Sequence, residues 1–251
     1  MNGIEKTQRV GLLVPSSNST QEPEFTAMLP ASVSLHVTRL WLASVDPDST
    51  LNIVAELEKE SQKLADADVD VIVLAATAPS TRMGRGYDAQ LVKRIRDATG
   101  KHATTAATAM LEAFAAMNIR RVALAAPWAT QTNTVVAAFL QAHGIEVVSQ
   151  VAMEVTRNTD IGRLDPQTAF DHGLLADRKE ADAVFLACGN WWTASIVERL
   201  EAATAKPVLT TNNMALWAVL RIIGGHASVP GFGRLLRDMP PVPLLAPARA
   251  A

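Results

Sequence analysis

The chain has 251 residues, of which 49% are hydrophobic and 19% charged, and its formal net charge is −2. A charge this small gives no basic field, which argues against nucleic acid and anionic membrane surfaces as partners. The single cysteine excludes an internal disulfide framework and is typical of a reducing compartment. Residues 1–9 are polar, unlike a signal peptide, and no apolar run approaches the ~20 residues of a membrane span, so we expect a cytoplasmic globular protein.

Short apolar runs alternate with longer amphipathic stretches along the chain. Runs that end in Pro, Thr or Gly are typical of buried parallel strands. In chain order, the predicted strands are Val10–Val14, Leu35–Leu42, Val69–Ala75, Val122–Ala126, Glu146–Met153 and Ala183–Ala187, and the predicted helices are Leu51–Ala65, Ala89–Ala98, Thr134–Ala142, Gln167–Ala176 and Ala194–Ala203. This alternation predicts parallel sheets with right-handed crossovers.

Two pairs of segments match each other at a single offset. The pairs, 112 residues apart, are Arg9–Pro15 with Arg121–Pro127 and Asp70–Thr77 with Asp182–Gly189. Two independent matches at one offset indicate a duplicated α/β unit. A third pair, 101–115 with 206–220, keeps an offset of its own, and each member has the pattern of a strand, a Thr-rich turn and a helix.

The duplication predicts two pseudo-symmetric Rossmann-like αβα halves, each with a parallel sheet. The first half is expected to span 1–117 and to be joined by a C-terminal segment, 222–251, while the second spans 118–221. Ligands of such sheets bind beyond the carboxyl ends of the strands. We therefore expect the active site in the cleft between the halves.

The only cysteine, Cys188, follows a predicted strand of the second half and lies opposite Ala76 of the first. It precedes Gly189 and a helix that we expect to open near Thr193, whose first amides are expected to lower the pKa of the thiol. A glycine beside the thiol lets backbone N–H groups approach a bound oxyanion. The alternative is a buried, inert cysteine, but the strand-end position favours a functional thiol that acts from one side only.

Hydroxyl and amide side chains follow two other predicted strands. Thr77 and Ser80 suit the binding of a carboxylate, or alternatively cap the next helix. Pro15, Ser16 and Asn18 lie where a second carboxylate could bind, or where a capped turn could form. Both interpretations place polar groups at the edge of the sheet where a ligand would enter.

Other loop residues are weaker candidates. Asn158, Asn212 and Asn213 are amides in predicted loops. Trp191 and Trp192, close to Cys188, form either a hydrophobic wall for the ligand or half-buried packing, and near a strand end we favour the wall.

Several common chemistries lack their motifs in this chain. The five histidines show no paired spacing for a metal ion. The segment Gly84-Arg85-Gly86 is too short for a dinucleotide fingerprint, and the chain has neither a P-loop nor a Gly-x-Ser-x-Gly elbow. We therefore expect a thiol-centred, anion-binding site without a metal or a cofactor.

At these residues the chain resembles the aspartate/glutamate racemase superfamily, in particular arylmalonate decarboxylase and maleate cis–trans isomerase. The resemblance runs from Val10 to Leu236 and rests on the motifs Val14–Asn18, Ala187–Gly189, Lys206–Val208 and Pro230–Leu236. Racemases and maleate isomerases of this group carry a cysteine at each duplicated strand end, whereas arylmalonate decarboxylase keeps only the second. Ala76 at the first position resembles the decarboxylase arrangement.

The resemblance to the decarboxylase implies a mechanism without a cofactor. One carboxylate of a malonate would lie among amides and hydroxyls around Thr77, Ala78 and Gly189, and the other would leave as CO₂ from an apolar pocket. Preorganised donors would stabilise the resulting enediolate. Cys188 would then protonate the carbon from one face, as a general acid.

The chain also departs from the decarboxylase pattern. A tyrosine belongs where Trp128 stands and a serine where Ala78 stands, so two hydrogen-bond donors are absent. The loop after Cys188 carries Asn190, Trp191 and Trp192 in place of small or aliphatic residues. The residues that instead resemble maleate isomerase are Pro15, Ser16, Ser17, Asn18, Glu22, Glu24 and Asn158, and that enzyme is expected to use the first cysteine as its nucleophile.

Three hypotheses follow. The first is a cofactor-independent decarboxylase of a small substituted malonate or dicarboxylate, the second an isomerase or racemase in which another group replaces the missing thiol, and the third a carboxylate-binding protein without catalysis. In each hypothesis the ligand is a small carboxylate. None of the three fixes the oligomeric state, and each is compatible with a homo-oligomer. The predicted site consists of Cys188 as the catalytic residue, with substrate bound by Pro15, Ser16, Asn18, Thr77, Ala78, Ser80, Trp128, Asn158, Gly189 and Asn190.

Overall fold

The protein forms two four-stranded parallel sheets in this computed structural model, which describes residues 8–42, 53–224 and 228–238. In chain order the strands are β1 Gln8–Pro15, β2 Val33–Leu40, β3 Val71–Leu74, β4 His102–Thr105, β5 Arg121–Ala126, β6 Glu146–Ala152, β7 Ala183–Leu186 and β8 Val208–Thr210. The first sheet has the order β2-β1-β3-β4 and the second has the order β6-β5-β7-β8. The six strands predicted from apolar runs are present, and the Thr-rich segments supply β4 and β8.

Helices alternate with these strands. They are α1 Gln21–Met28, α2 Leu57–Asp66, α3 Thr77–Thr81, α4 Tyr87–Thr99, α5 Ala106–Ala116, α6 Thr130–Ala142, α7 Asn158–Ile161, α8 Pro166–Ala176, α9 Val197–Thr204, α10 Thr211–Ile222 and α11 Arg234–Asp238. The helix predicted over 194–203 begins as a 3₁₀ turn, Ala194–Ile196, before α9. The helix predicted from residue 51 begins at Leu57, and residues 51–52 lie outside the described ranges. Every helix in the described ranges is too short or too polar to span a bilayer.

The register of the strands preserves the duplication. Val10 pairs with Val71 between β1 and β3, and Val122 pairs with Ala183 between β5 and β7, so both partners are shifted by the same 112 residues. A register shift between Val122 and Ala123, against β6, is a point where the second sheet departs from the first. The carboxyl ends of β3 and β7 therefore occupy equivalent places in the two halves.

The repeated Arg and Asp of the matching segments have a structural purpose. Asp70 Oδ2 accepts the backbone N–H of Arg9 at 2.7 Å, and Asp182 Oδ2 accepts that of Arg121 at 2.8 Å. In each half, the aspartate just before one strand (β3 or β7) holds the start of the neighbouring strand (β1 or β5). This contact explains why these polar residues match although the strands around them are apolar.

One apolar core runs through both halves. It includes Val10 of β1 and Val122 of β5, and Phe114 of α5 meets Phe185 of β7 edge-on, with ring centroids 5.6 Å apart. Helices α5 and α10 pack against each other between the two sheets. The halves are therefore joined by a continuous hydrophobic interior.

The C-terminal segment, which we expected to join the first half, contacts both halves: the carbonyl of Ile223 accepts Gln8 Nε2 of β1, and residues 228–238 contact the second half. The backbone N–H of Gly231 donates to Glu198 Oε1 at 3.1 Å, and that of Arg234 donates to Glu201 Oε1 at 3.0 Å. Glu201 is buried, and a buried carboxylate needs hydrogen-bond donors, which this segment supplies. The observation covers 222–224 and 228–238, since 225–227 and 239–251 lie outside the described residues.

Candidate active site

A cavity of about 40 Å³ lies where the carboxyl ends of strands from both halves meet. It is lined by Pro15, Asn18, Leu42, Ala75, Ala76, Thr77, Ala78, Pro79, Trp128, Asn158, Cys188, Gly189 and Asn190. The lining contains every residue of the predicted site except Ser16 and Ser80. Two larger cavities, of about 620 and 320 Å³, open among helices and loops elsewhere and contain none of the predicted site residues.

Cys188 has an unusual backbone conformation. Its φ is 124°, in a region that residues other than glycine seldom occupy. Its backbone N–H donates to the Thr211 hydroxyl at 3.1 Å. Such a conformation costs about 1–3 kcal/mol and persists only where its surroundings hold it. A strained turn of this kind is typical of a functional position and is not needed for a cysteine that merely fills the core.

The thiol of Cys188 is protonated at neutral pH. The pKa of this thiol is raised to about 12, chiefly by burial and to a smaller extent by the negative charge of Glu24, while the backbone N–H groups of Asn190 and Trp191 lower it. The expectation of a lowered pKa is therefore wrong. The 3₁₀ turn begins only at Ala194, and the two amides that do reach the sulfur do not offset the loss of hydration.

Gly189 is required by close packing. A Cβ atom at this position would lie 2.3 Å from Gln21 Nε2 and 2.6 Å from Gln21 Cδ. Gln21 is fully buried, and its Nε2 donates to the Ala75 carbonyl at 2.8 Å and to Asn212 Oδ1 at 3.1 Å. The absence of a side chain at Gly189 thus makes room for a fixed amide of the first half.

Two threonine hydroxyls connect the thiol segment to the first half. Thr211 Oγ1 accepts the N–H of Cys188 and lies 3.0 Å from Thr77 Oγ1. If Thr211 donates its proton to Thr77, the hydroxyl proton of Thr77 is available to a ligand in the cavity. Thr77 and Ala78 also begin α3, so their N–H groups have no carbonyl partner within that helix.

The hydroxyl of Ser80 forms hydrogen bonds with backbone groups of the first half. It donates to the carbonyls of Ala76 at 2.7 Å and Thr77 at 3.1 Å, and it accepts the N–H of Ala107 at 3.2 Å. Ser80 is fully buried. It therefore supports the loop that carries Ala76 from behind the cavity.

Ser16 and Asn18 shape the loop after β1. Ser16 Oγ accepts the N–H of Leu42 at 3.0 Å, and Asn18 Oδ1 accepts the N–H groups of Thr20 and Gln21 at 3.0 Å each. Both side chains cap turns, as the alternative interpretation of this segment held. Asn18 also lines the cavity, so its amide has both a structural contact and access to a ligand.

Asn158 and Asn190 join the two halves at the rim of the cavity. Asn158 Nδ2 donates to Ser17 Oγ at 2.8 Å, while Asn190 Nδ2 donates to the Asn158 carbonyl at 2.6 Å. Asn190 Oδ1 accepts the N–H of Ser19 at 2.9 Å. These amides hold the loop after β1 against the loop after β7.

The tryptophans differ in their relation to the cavity. Trp128 lines it and is held by an indole N–H bond to Asn133 Oδ1 at 2.7 Å. Trp191 is fully buried and donates to Thr168 Oγ1, and Trp192 is half-buried and donates to the Gly162 carbonyl. The expectation that Trp191 and Trp192 form a wall of the site is therefore wrong, since both pack behind it.

Sequence reasoning did not single out Gln21 and Thr211, which support the cavity, and it named Glu24 only through the resemblance to maleate isomerase and Asn212 only as a weaker candidate. Gln21 and Glu24 begin the buried side of α1, and Thr211 and Asn212 begin α10. The sequence did contain a signal for these residues. Polar residues precede α1 at a Ser-Asn pair and begin α10 at a Thr-Asn pair, and the buried amides and carboxylates of these two segments pair with each other. Asn213 serves a different purpose, because it forms a capping box with Thr210 at the start of α10.

The described part of the cavity lining offers neutral donors and a titratable group. Among the lining residues that the structure describes, Cys188 is the only side chain that titrates, and none is basic. Within the described residues, no three His, Cys, Asp or Glu side chains lie together as metal ligands would. The arrangement can hold an anion by hydroxyls and amides and can present a thiol proton to it from the side of the second half.

The amino-acid sequence is similar to those of known proteins along most of its length. The family model described as arylmalonate decarboxylase matches residues 10–236. A maleate isomerase from Pseudomonas putida is 32% identical over 91% of this chain and 96% of its own length. An arylmalonate decarboxylase from Bordetella bronchiseptica is 27% identical over 92% of this chain and 98% of its own.

Solved structures agree with the sequence matches. The structure of a cysteine-to-alanine variant of a Pseudomonas putida maleate isomerase with maleate superposes with a TM-score of 0.88 at 27% identity. That match covers 91% of this chain and 97% of the isomerase chain. The two four-stranded parallel sheets with alternating helices are thus the fold of these relatives.

Proposed function

The chain belongs to the arylmalonate decarboxylase family, a family of enzymes, and from that premise we propose that it decarboxylates a small substituted malonate without a cofactor. The observation that carries the proposal is the single, protonated thiol of Cys188 in the cavity, with the methyl group of Ala76 at the equivalent strand end. A high pKa suits a group that must deliver a proton rather than attack as a thiolate. A single acid on one face of the substrate favours protonation of the α-carbon from that face alone, without racemisation.

In the proposed complex, one carboxylate of the malonate binds the donors of the first half. These are the hydroxyl of Thr77 and the N–H groups at the start of α3, with the backbone around Gly189 on the opposite side. The second carboxylate lies against the apolar part of the lining, formed by Pro15, Leu42 and Trp128. Poor solvation of that carboxylate favours its loss as neutral CO₂.

The proposed reaction has two steps. The bond between the α-carbon and the second carboxylate breaks, CO₂ leaves, and the electron pair passes into the remaining carboxylate as an enediolate. Fixed donors around Thr77 stabilise that charge as it develops. Cys188 then transfers its proton to the α-carbon, and solvent returns a proton to the sulfur.

The proposed substrate is small because the cavity lining contains a bulky side chain. Trp128, whose indole is fixed by Asn133, stands where an aryl substituent would have to bind. We therefore expect methylmalonate to be decarboxylated faster than phenylmalonate.

The test measures CO₂ release from malonate, methylmalonate and phenylmalonate by wild type and Cys188→Ala. Loss of a general acid slows catalysis by roughly 10²–10⁴-fold, so release should be confined to the wild type. In D₂O the product should carry one deuterium at the α-carbon with a single handedness. Equal release from both proteins contradicts the proposal, and tight binding without turnover favours a carboxylate-binding protein.

A second candidate is isomerisation of maleate. It is favoured by the similarity to maleate isomerases and by the amides of Asn18 and Asn158 in the cavity lining. A nucleophile at the first strand end would be required, and Ala76 has none. Formation of fumarate from maleate by the wild type, lost in Cys188→Ala, supports this candidate over the decarboxylase.

A further inference from the structure

Glu24 is a buried carboxylate behind the catalytic segment. It lies on α1 and is 3% exposed. Its Oε1 accepts the backbone N–H groups of Thr193 at 2.6 Å and Ala194 at 2.7 Å, and its Oε2 accepts Asn212 Nδ2 at 2.6 Å. Every one of these partners donates, so the ionised form of Glu24 satisfies them, whereas a protonated acid would place an O–H against a donor.

The same network reaches the residue next to the thiol. Asn212 Nδ2 donates to the Gly189 carbonyl at 3.1 Å as well as to Glu24. Glu24 therefore holds the segment 188–194 at both of its ends, through Asn212 near Cys188 and directly at Thr193 and Ala194. The segment contains the strained φ of Cys188, and a strained conformation needs contacts of this kind.

The charge of Glu24 acts on the thiol. It is the charged side chain among the causes of the raised pKa of Cys188, and its effect is much smaller than that of burial. The neighbouring charged groups are neutralised elsewhere, since Glu22 pairs with Arg39, Glu198 with Arg237 and Glu201 with Arg234. Burial also raises the pKa of Glu24 itself above its usual value, and the hydrogen bonds from Ala194, Asn212 and Thr193 oppose that rise without cancelling it.

We propose that Glu24 is a positioning residue for Cys188: its carboxylate anchors the 188–194 segment through Asn212, Thr193 and Ala194, and its negative charge opposes the formation of a thiolate there. The proposal deepens the proposed function and rests on Cys188 being the proton donor. It assigns a purpose to a buried carboxylate that never contacts the cavity. The anchoring and the charge are separable by experiment.

The test is the pH profile of Cys188 alkylation by iodoacetamide in the folded protein, followed by mass spectrometry. Because the chain has one cysteine, no other thiol contributes. Glu24→Gln keeps the shape and removes the charge, so the midpoint of the profile should fall by about one pH unit and alkylation at pH 8 should become about tenfold faster. Asp97 is an exposed carboxylate on α4 that pairs with Lys93. The control variant Asp97→Asn should therefore give the same alkylation profile as the wild type.

A merely structural role for Glu24 gives a different profile. A loosened segment speeds alkylation equally at every pH and leaves the midpoint in place, and that result in Glu24→Gln overturns the role proposed for the charge. Asn212→Ser provides the second variant, because it keeps the charge and breaks the bond to Gly189. Its alkylation should become about tenfold faster at every pH with an unchanged midpoint, and a wild-type rate overturns the anchoring. No substrate is needed, so failure of the proposed decarboxylation is detected separately.

Discussion

The carboxyl ends of β3 and β7 occupy equivalent places in the two halves and differ in backbone as well as in side chain. Ala76 is extended, with φ −133° and ψ 104°, and α3 begins at the next residue. Cys188 has a φ of 124°, and the chain continues without a helix to the 3₁₀ turn at Ala194. The strands before them keep the same register, so the difference begins where the strands end.

A symmetric scaffold thereby carries two different strand ends, as the proposed one-sided chemistry requires. The first strand end presents hydroxyl and amide donors around Thr77, and the second presents a protonated thiol. The two are joined by the hydroxyl of Thr211, which contacts both Thr77 and the N–H of Cys188. The sheets supply equal support, and in the proposed mechanism the residues after them divide anion binding from proton transfer.

The largest expected effect concerns the ionisation of the thiol at the second strand end. The pKa of Cys188 is raised from 9.0 to about 12, so at pH 8 its thiolate fraction should be about a thousandfold below that of the unfolded chain. Alkylation should rise about tenfold per pH unit up to about 9 in the unfolded chain and up to about 12 in the folded one. Stopped-time alkylation of native and urea-unfolded protein measures both rates. Equal rates at pH 8 would show that folding does not raise the pKa of Cys188, and the second strand end would then not differ from the first in holding a protonated acid.

The second prediction moves the thiol to the first strand end. In Ala76→Cys/Cys188→Ala the acid approaches the α-carbon from the opposite side, so a malonate with two different substituents on the α-carbon should give the product of opposite hand. The rate should fall by about 10²-fold, because the thiol is displaced from its supporting network. Chiral chromatography of the product checks this, with Cys188→Ala alone as the control. A product of unchanged hand contradicts the equivalence of the two positions.

The third prediction compares the residues that follow the two strand ends. Gly189→Ala should lower the free energy of unfolding by about 2–3 kcal/mol, because the new Cβ displaces the buried amide of Gln21. At the equivalent position, Thr77→Ala should cost about 1 kcal/mol, the value of one hydrogen bond to Thr211. Urea denaturation followed by circular dichroism measures both, and equal losses would show that Gly189 is not tightly packed.

The smallest expected effect separates support from substrate binding at the first end. Ser80→Ala removes a hydroxyl that serves Ala76, Thr77 and Ala107, and should lower the free energy of unfolding by about 1–2 kcal/mol. Turnover should change by less than about threefold, because Ser80 lies outside the cavity lining. Steady-state kinetics beside urea denaturation distinguishes this from a direct contact, for which KM would rise more than stability falls.

The strands and the duplication could be predicted because they are local patterns. Apolar runs are legible in a single sequence, and the match of Arg9 and Asp70 with Arg121 and Asp182 reflects a hydrogen bond repeated in both halves. The position of Cys188 at a sheet edge followed from the same pattern. These features depend on neighbours along the chain or on one repeated contact.

Other features could not be predicted because they depend on which elements meet. Helix α1 is rich in polar residues and resembles a surface helix, yet Gln21 and Glu24 are buried because loops of the second half close over them. The packing of Trp191 behind the cavity depends on Thr168 of α8. In each case the partner is more than 20 residues away in the chain.

The sequence by itself determined the duplicated α/β fold, the strand ends at which a ligand would bind and the presence of one thiol opposite a methyl group. Only the tertiary structure decided the protonation state of that thiol, because desolvation is set by every residue that surrounds it and reverses the effect of nearby amides. The structure also decided which polar residues face the cavity and which support it. Ser80 and Cys188 both follow apolar strands, and their different roles arise from the groups that pack around them.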